Sequence, residues 1–362
     1  MNRYKTLILV LAALVLAGCA SSPPPVVEAP PADGNVALVK VFYATDRNIL
    51  ADPGKAGWFG TDRSSEVNYG TCIVSLPRGD REGDMERTRL WRVTRDDARK
   101  DEEAVAETLL VPKGDYLKAL SERIRGSEGR SALVFVHGFN VTFEEAAVRT
   151  AKLVYNLSFD GAALFFSWPS KGSMFDYFAD ENTIEWATPD LKSFLKEVLT
   201  AVDAENVYFI AHSMGTRGFV KALTSVLGEN PGLKKKIKEV VLAAPDMDAE
   251  VFKRDYAPAL ANAGRHVTLY SASDDLALSL SKKIHAFARA GDAGEGLLIA
   301  PGIETVDVNA VDSGPLHHSY VFEDPQVKKD LFYIIKNGMR ADVRAGLYGI
   351  ETPAGRYWKF SR

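Results

Sequence analysis

Two cysteines in 362 residues, Cys19 and Cys72, are too few for a disulfide framework or a Cys-based zinc site. No block of Lys and Arg is interleaved with aromatics, so the electrostatic footprint of a nucleic-acid binder is missing; the formal charge is −4. There is no Gly-rich phosphate loop and no internal repeat. No apolar run approaches the roughly 20 residues that a membrane-spanning helix needs. What remains is an ordinary globular mixture, 46% hydrophobic and 25% charged, long enough for about two domains or one large α/β domain. Six histidines compete for any proton-transfer role.

At the N-terminus Arg3 and Lys5 precede an apolar run from Leu7 to Ala17, the length of a signal-peptide core. It ends in Leu16-Ala17-Gly18-Cys19, which resembles the lipobox of bacterial lipoproteins. The resemblance implies cleavage before Cys19 and acylation of its thiol, a stable anchor when several chains are attached. Ala20 stands where an Asp would resemble an inner-membrane retention signal, so the expected location is the outer membrane, facing the periplasm. Five prolines between Pro23 and Pro31 make the stretch to Asn35 a semi-extended tether.

From Val36 the chain is strand-like, and Asp80 to Lys100 is a charged surface excursion. The rhythm changes at Ser131. Apolar strands at 132–136, 162–166, 207–211, 240–244, 266–270 and 303–308 alternate with helical segments at 143–157, 190–202, 214–227, 248–261, 276–290 and 326–336. Strands apolar on both faces, alternating with helices, predict a mostly parallel sheet covered on both sides, with its chemistry in the loops after the strands. The expected division is 1–18 signal peptide, 19–35 lipidated Cys and tether, 36–130 β-rich extension packed on the core, 131–340 catalytic core and 341–362 tail.

Strand 207–211 runs into His212-Ser213-Met214-Gly215 and a helix begins at once. A serine between strand and helix, with Ala211 and Gly215 two residues to either side, is the pattern of a nucleophile elbow. Its tight turn predicts a strained backbone at Ser213, and small flanks are expected because larger side chains there would collide with each other. After strand 132–136 comes His137-Gly138-Phe139-Asn140, where the glycine lets a backbone N–H turn inward. The amides of Phe139 and Met214 are therefore the candidate oxyanion donors. His137 is expected to brace that loop and His212 to pack. Trp168, after strand 162–166, is a candidate pocket wall, and Met174 to Phe178 is either a lid or a surface loop.

A serine nucleophile needs a general base. His266 opens a strand, at the wrong edge of the sheet, and His285 lies within a helix. His317 and His318 follow the last strand, and spacing does not choose between them. The acid that orients the base should follow another strand. Asp274 and Asp275 do so, with Asp246 and Asp248 one strand earlier as alternatives.

The order Ser, Asp, His is that of α/β-hydrolases. The chain more closely resembles the bacterial α/β-hydrolase family DUF900, through Val136-His-Gly-Phe-Asn140, Phe166-Ser-Trp-Pro-Ser170, Ala211-His-Ser-Met-Gly215, Ala244-Pro-Asp-Met-Asp248, Asp275-Leu-Ala-Leu278 and His318-Ser-Tyr320. Tyr43-Ala-Thr-Asp-Arg47 and Tyr69-Gly-Thr-Cys-Ile-Val-Ser75 belong to it upstream. The resemblance implies that the acid is Asp275 and the base His318, and it names no substrate. The reading is an envelope-anchored serine hydrolase of esters, small or lipid, with Ser213, His318 and Asp275 as triad. It needs no metal, cofactor or nucleic acid. A silent binding lipoprotein and an acyltransferase with the same triad are the rival readings.

Overall fold

The alternation read from Ser131 onward forms the centre of one eleven-stranded sheet among the described residues, in the order β10-β11-β9-β8-β7-β6-β4-β5-β1-β2-β3. The computed structural model describes residues 36–51, 57–77, 103–173, 176–272, 278, 281, 285–308 and 320–361. Cys19 with its tether, the 80–100 excursion, Asp274, Asp275, His317 and His318 lie outside the described residues. The strands are β1 (Val36–Ile49), β2 (Phe59–Pro77), β3 (Ala104–Leu110), β4 (Ser131–Val136), β5 (Ala162–Ser167) and β6 (Asn206–His212). Then follow β7 (Ile237–Ala243), β8 (His266–Ser271), β9 (Glu304–Asp307), β10 (Leu347–Thr352) and β11 (Gly355–Phe360).

The middle of the sheet is parallel, and its side chains alternate strictly between two cores. Val134, Val136, Leu164, Phe209 and Leu242 enter one. Leu133, Phe135, Phe165, Ile210 and Val241 enter the other. Helices α1 (Lys113–Arg125), α3 (Tyr177–Thr200) and α4 (Gly215–Glu229) cover the first face. Helices α2 (Phe143–Asn156) and α5 (Pro325–Asn337) cover the second. Thr142 and Glu145 start α2 with reciprocal side-chain-to-backbone bonds. Gly338, at φ 58°, stops α5 in the left-handed conformation.

Three expectations change. Helix α3 begins at Tyr177, not Asp190, and carries Pro189 in its interior. A proline is an ordinary first-turn residue, so the sequence points to a helix start there. Burial of Ile184, Ala187, Leu191, Phe194, Leu195 and Val198 along one face carries the helix through it. The β-rich extension does not merely pack on the core: β1 joins β5 in parallel from Phe42–Leu164 to Thr45–Ser167, and β2 and β3 continue the same sheet. The stretch read as a tail is an antiparallel β10–β11 hairpin whose second strand pairs in parallel with β9. Before it, the buried Arg344 bonds Asp330 at 2.9 Å and Glu304 at 3.0 Å, and Lys359 reaches Asp307 at 2.9 Å.

Glu239 lies buried near the start of β7, and neither carboxylate oxygen has a hydrogen-bond partner among the described residues. Burial, then the neighbouring Glu304 charge, push its pKa from 4.5 up to about 8 against the pull of Arg344 and Arg265. Between pH 4.5 and about 8 the unfolded chain loses this proton and the folded chain keeps it, so stability falls as pH rises, at up to roughly 1.4 kcal/mol per pH unit. Glu239→Gln should therefore match the parent near pH 4 and exceed it in thermal midpoint at pH 8. Equal midpoints at pH 8 in a calorimetric pH series would refute this.

Candidate active site

The parallel strands end level with one another. Val136 pairs with Phe166 and Ala211, His212 with Ala243, and Ala243 with Tyr270. The chain leaves β4 towards β5 on one side and returns to place β6 on the other, so the loops after β4 and β6 meet at a switch in strand order. Candidates expected after different strands therefore converge.

Ser213 follows β6 directly, is buried, and has φ of 50°. This is the strained turn the elbow pattern predicts, in a conformation that costs a non-glycine residue of order 1 kcal/mol or more. Asn140 after β4 and Ala244 after β7 also have positive φ, 55° and 47°, so three of the loops at this edge each carry a non-glycine residue in the left-handed region. The Ser213 N–H donates to the Ala243 carbonyl at 2.9 Å, and the Ser213 carbonyl accepts from Thr216 N–H at 3.0 Å. Met214, with helical φ and ψ at the head of α4, then presents an N–H that no carbonyl within the helix can receive. The Met214 side chain is fully buried and ties the turn to the core. The helix terminus adds a positive potential that favours an oxyanion.

The flank at Gly215 is small for a different reason from the one expected. A Cβ on Gly215 would overlap the carbonyl oxygen of His137, on the neighbouring strand's loop, rather than Ala211. A Cβ on Gly138 would come within 2.7 Å of Ser213 Cβ and 2.9 Å of His212 Nδ1. The two loops touch backbone to backbone, which places Phe139 beside the serine. The Phe139 ring meets Tyr177 edge-on at 5.3 Å.

His137 is fully buried. Its Nδ1 is 2.8 Å from the Gly138 carbonyl and its Nε2 3.2 Å from Ser167 Oγ. Burial and the nearby Arg47 charge push its pKa well below the usual histidine range, so the ring is neutral. It acts as a brace. Trp168 is not a pocket wall: it too is fully buried, stacks on His137 at 5.1 Å and donates Nε1–H to the His137 carbonyl at 2.8 Å. His212 is buried against Phe322. His266 opens β8 at the opposite edge.

Both acids after β7 are engaged elsewhere. Asp248 caps the following helical turn, accepting from the N–H groups of Glu250 and Val251. Asp246 is buried and accepts from Tyr177 Oη at 2.7 Å, Ser281 Oγ at 2.6 Å and Arg289 Nε at 2.8 Å. Burial alone would raise its pKa, but Arg217 and Arg289 outweigh that and hold the carboxyl below its ordinary range. Arg217 also joins Glu181, which His285 Nε2 meets at 2.8 Å. Tyr177, read as part of a lid or loop, is the first residue of α3 and is locked in this cluster; Met174 and Phe175 lie outside the described residues. Sequence reasoning missed Arg217, two residues beyond the 211–215 motif, and Arg289, which had no local signal, and it gave Tyr177 no partner. Among the described residues no group of three or more His, Cys, Asp or Glu is arranged to hold a metal ion, and no helix is long and apolar enough to cross a membrane.

A family model described as an alpha/beta hydrolase of unknown function (DUF900) matches residues 113–335. The match takes in α1 and stops before the β10–β11 hairpin. A search of curated proteins found no match. Among solved structures, an inhibited esterase B from Lactobacillus rhamnosis aligns at 12% identity over 92% of this chain and 93% of its own, with a TM-score of 0.35. An esterase from Pyrobaculum calidifontis aligns at 14% over 91% and 90%, with a TM-score of 0.35. A predicted CIB-like hydrolase from Thermoplasma acidophilum aligns at 14% over 65% and 93%, with a TM-score of 0.33.

The elbow contact makes a pair of opposite predictions on one helix. Gly215→Ala forces backbone apart and should destabilise by about 1–3 kcal/mol. Gly228→Ala, where an added Cβ meets nothing within 4 Å, should stabilise by about 0.5–1 kcal/mol. Urea unfolding of the two variants measures both signs.

Proposed function

The chain belongs to the α/β-hydrolase family DUF900, and on that premise we propose that it is a serine hydrolase cleaving carboxylic esters through an acyl-enzyme. The observation that carries the proposal is Ser213 at φ 50° between β6 and α4, its own N–H bonded to Ala243 and the helix N-terminus behind it. In this reading Ser213 Oγ attacks the ester carbonyl as His318 takes its proton, with Asp275 orienting the imidazole. The N–H groups of Phe139 and Met214 receive the negative oxygen, each donor worth about 3 kcal/mol in the transition state. His318 then protonates the departing alcohol, and water, deprotonated by the same histidine, releases the acid. The engagement of Asp246 and Asp248 in other bonds supports an acid from the 274–275 pair.

The same proposal includes the anchor. Lipid on Cys19 would hold the enzyme to the outer membrane on the periplasmic side. β1 is parallel to β5, so the tether enters at Val36, on the sheet edge opposite Ser213.

A fluorophosphonate probe should label the purified protein at Ser213, and a p-nitrophenyl ester series of rising chain length should reveal its acyl preference. Ser213→Ala should abolish both signals with little change in thermal midpoint; labelling that persists in the variant would overturn the assignment.

The base is tested by its neighbour. His318→Ala should lower kcat on the order of 10³-fold or more, because only binding and the oxyanion donors remain. His317→Ala should stay largely active. The reverse result would assign the base to His317.

A further inference from the structure

Arg47 ends the Tyr43-Ala-Thr-Asp-Arg47 run on β1, upstream of the span that the family model matches. It is 1% exposed near the C-terminal end of a long strand, a costly place for a charge unless its donors are all directed. Nε donates to Ser167 Oγ at 2.9 Å, Nη1 to the carbonyls of Gly60 at 3.1 Å and Ser170 at 3.2 Å, and Nη2 to the carbonyl of Val141 at 2.7 Å. These four acceptors are one hydroxyl and three carbonyls, spread over β2, the end of β5 and the loops after β4 and β5. A planar guanidinium can serve them together, and a lysine ammonium cannot.

Two of the acceptors bracket the loop that carries Phe139. At its far end Nη2 holds Val141. At its near end the contact is relayed: Ser167 Oγ, already accepting from Arg47, is 3.2 Å from His137 Nε2. The Gly138 carbonyl at Nδ1 can only accept, so Nδ1 carries the ring proton and Nε2 accepts from the serine hydroxyl. The relay therefore runs from Arg47 Nε–H to Ser167 O–H to His137 Nδ1–H and ends on the Gly138 carbonyl. A trans peptide is planar, with its C=O and N–H antiparallel. Fixing the Gly138 carbonyl on the His137 ring thus aims the Phe139 N–H the opposite way.

Resting on the reading of residues 137–141 as the oxyanion loop, we propose that Arg47 is a positioning residue that, through Ser167 and His137, sets the plane of the Gly138–Phe139 peptide and so the direction of the Phe139 donor. Asp180 of α3 supports the same assembly, accepting from Ser170 Oγ and from Lys171 N–H at 2.9 Å. Trp168 holds the His137 ring in plane from its other face. The oxyanion donor is then aimed from a strand outside the matched family span.

The test uses the full chain with Arg47→Lys, and with Ser167→Ala, which breaks the relay at Nε and leaves the other three acceptors of Arg47 in place. Amide hydrogen exchange across residues 137–141 should quicken about tenfold in Arg47→Lys and less in Ser167→Ala, with β4 and β6 unchanged. On a p-nitrophenyl ester kcat should fall about 10–100-fold, with KM within about twofold, since only transition-state binding is lost. The double variant should be no worse than Arg47→Lys alone. Unchanged exchange in 137–141 overturns the proposal, and Ser167→Ala decides it alone if Arg47→Lys does not fold. Faster exchange with unchanged kcat also overturns it, because the loop would then be held without serving the donor. If Ser213→Ala hydrolyses esters as fast as the parent, the hydrolase reading falls, and the exchange measurement still decides whether Arg47 holds the loop.

Discussion

The carbonyl of His137 occupies the space that a side chain on Gly215 would need, and Gly138 lies as close to Ser213. The rest of the site follows from this contact. β4 and β6 are hydrogen-bonded neighbours, their loops leave the sheet at the same level, and they can approach only where backbone meets backbone. That approach puts the head of α4 and the turn at Phe139 on either side of Ser213. It also forces the left-handed conformation at Ser213 and Asn140, because both chains must turn within two or three residues.

Strain of this kind persists only where the surroundings over-determine it. Two buried polar clusters do so here. On one side Arg47, Ser167, His137 and Trp168 hold the loop after β4, with Asp180 binding the next loop. On the other, Asp246 gathers Tyr177, Ser281 and Arg289, and its N–H reaches the Ser213 carbonyl at 3.3 Å. The second cluster links the elbow to α3 and to the segment that follows Asp274 and Asp275. In a low-dielectric interior such networks are stiff when satisfied and costly when broken. Under the proposed function, they keep the Phe139 and Met214 donors in place before charge develops, which is the condition for electrostatic catalysis.

The other edge of the sheet has a different character. There Arg344 bridges Asp330 and Glu304 and ties the C-terminal hairpin to β9 and α5, while Glu239 is buried with no hydrogen-bond partner among the described residues. These groups bear on stability and lie far from Ser213 along the strands. A parallel sheet separates the two roles because all its helix-bound loops of one kind emerge at one edge.

The sequence by itself determined the period of the core. Apolar strands 132–136 and 207–211, the helices between them, and the serine at a strand-to-helix turn follow from spacing and side-chain type, because burial and turn sterics act locally. The position of Ser213 in that turn, with Met214 after it and the Gly138–Phe139 turn beside it, was legible for that reason, and His137 as a brace followed from its place in the loop. Only the tertiary structure decided the fate of groups whose partners are remote in the chain. Arg47 meets Ser167 across 120 positions, Trp168 turns inward onto His137, and Asp246 is taken up by Arg289 and Tyr177. The run at 347–360 becomes sheet because β9 offers it an open edge, and Pro189 stays helical because α3 is packed along its length. A residue's own pattern sets what it can form, but which buried charge finds which acceptor depends on the packing of several elements at once, and no local signal encodes it.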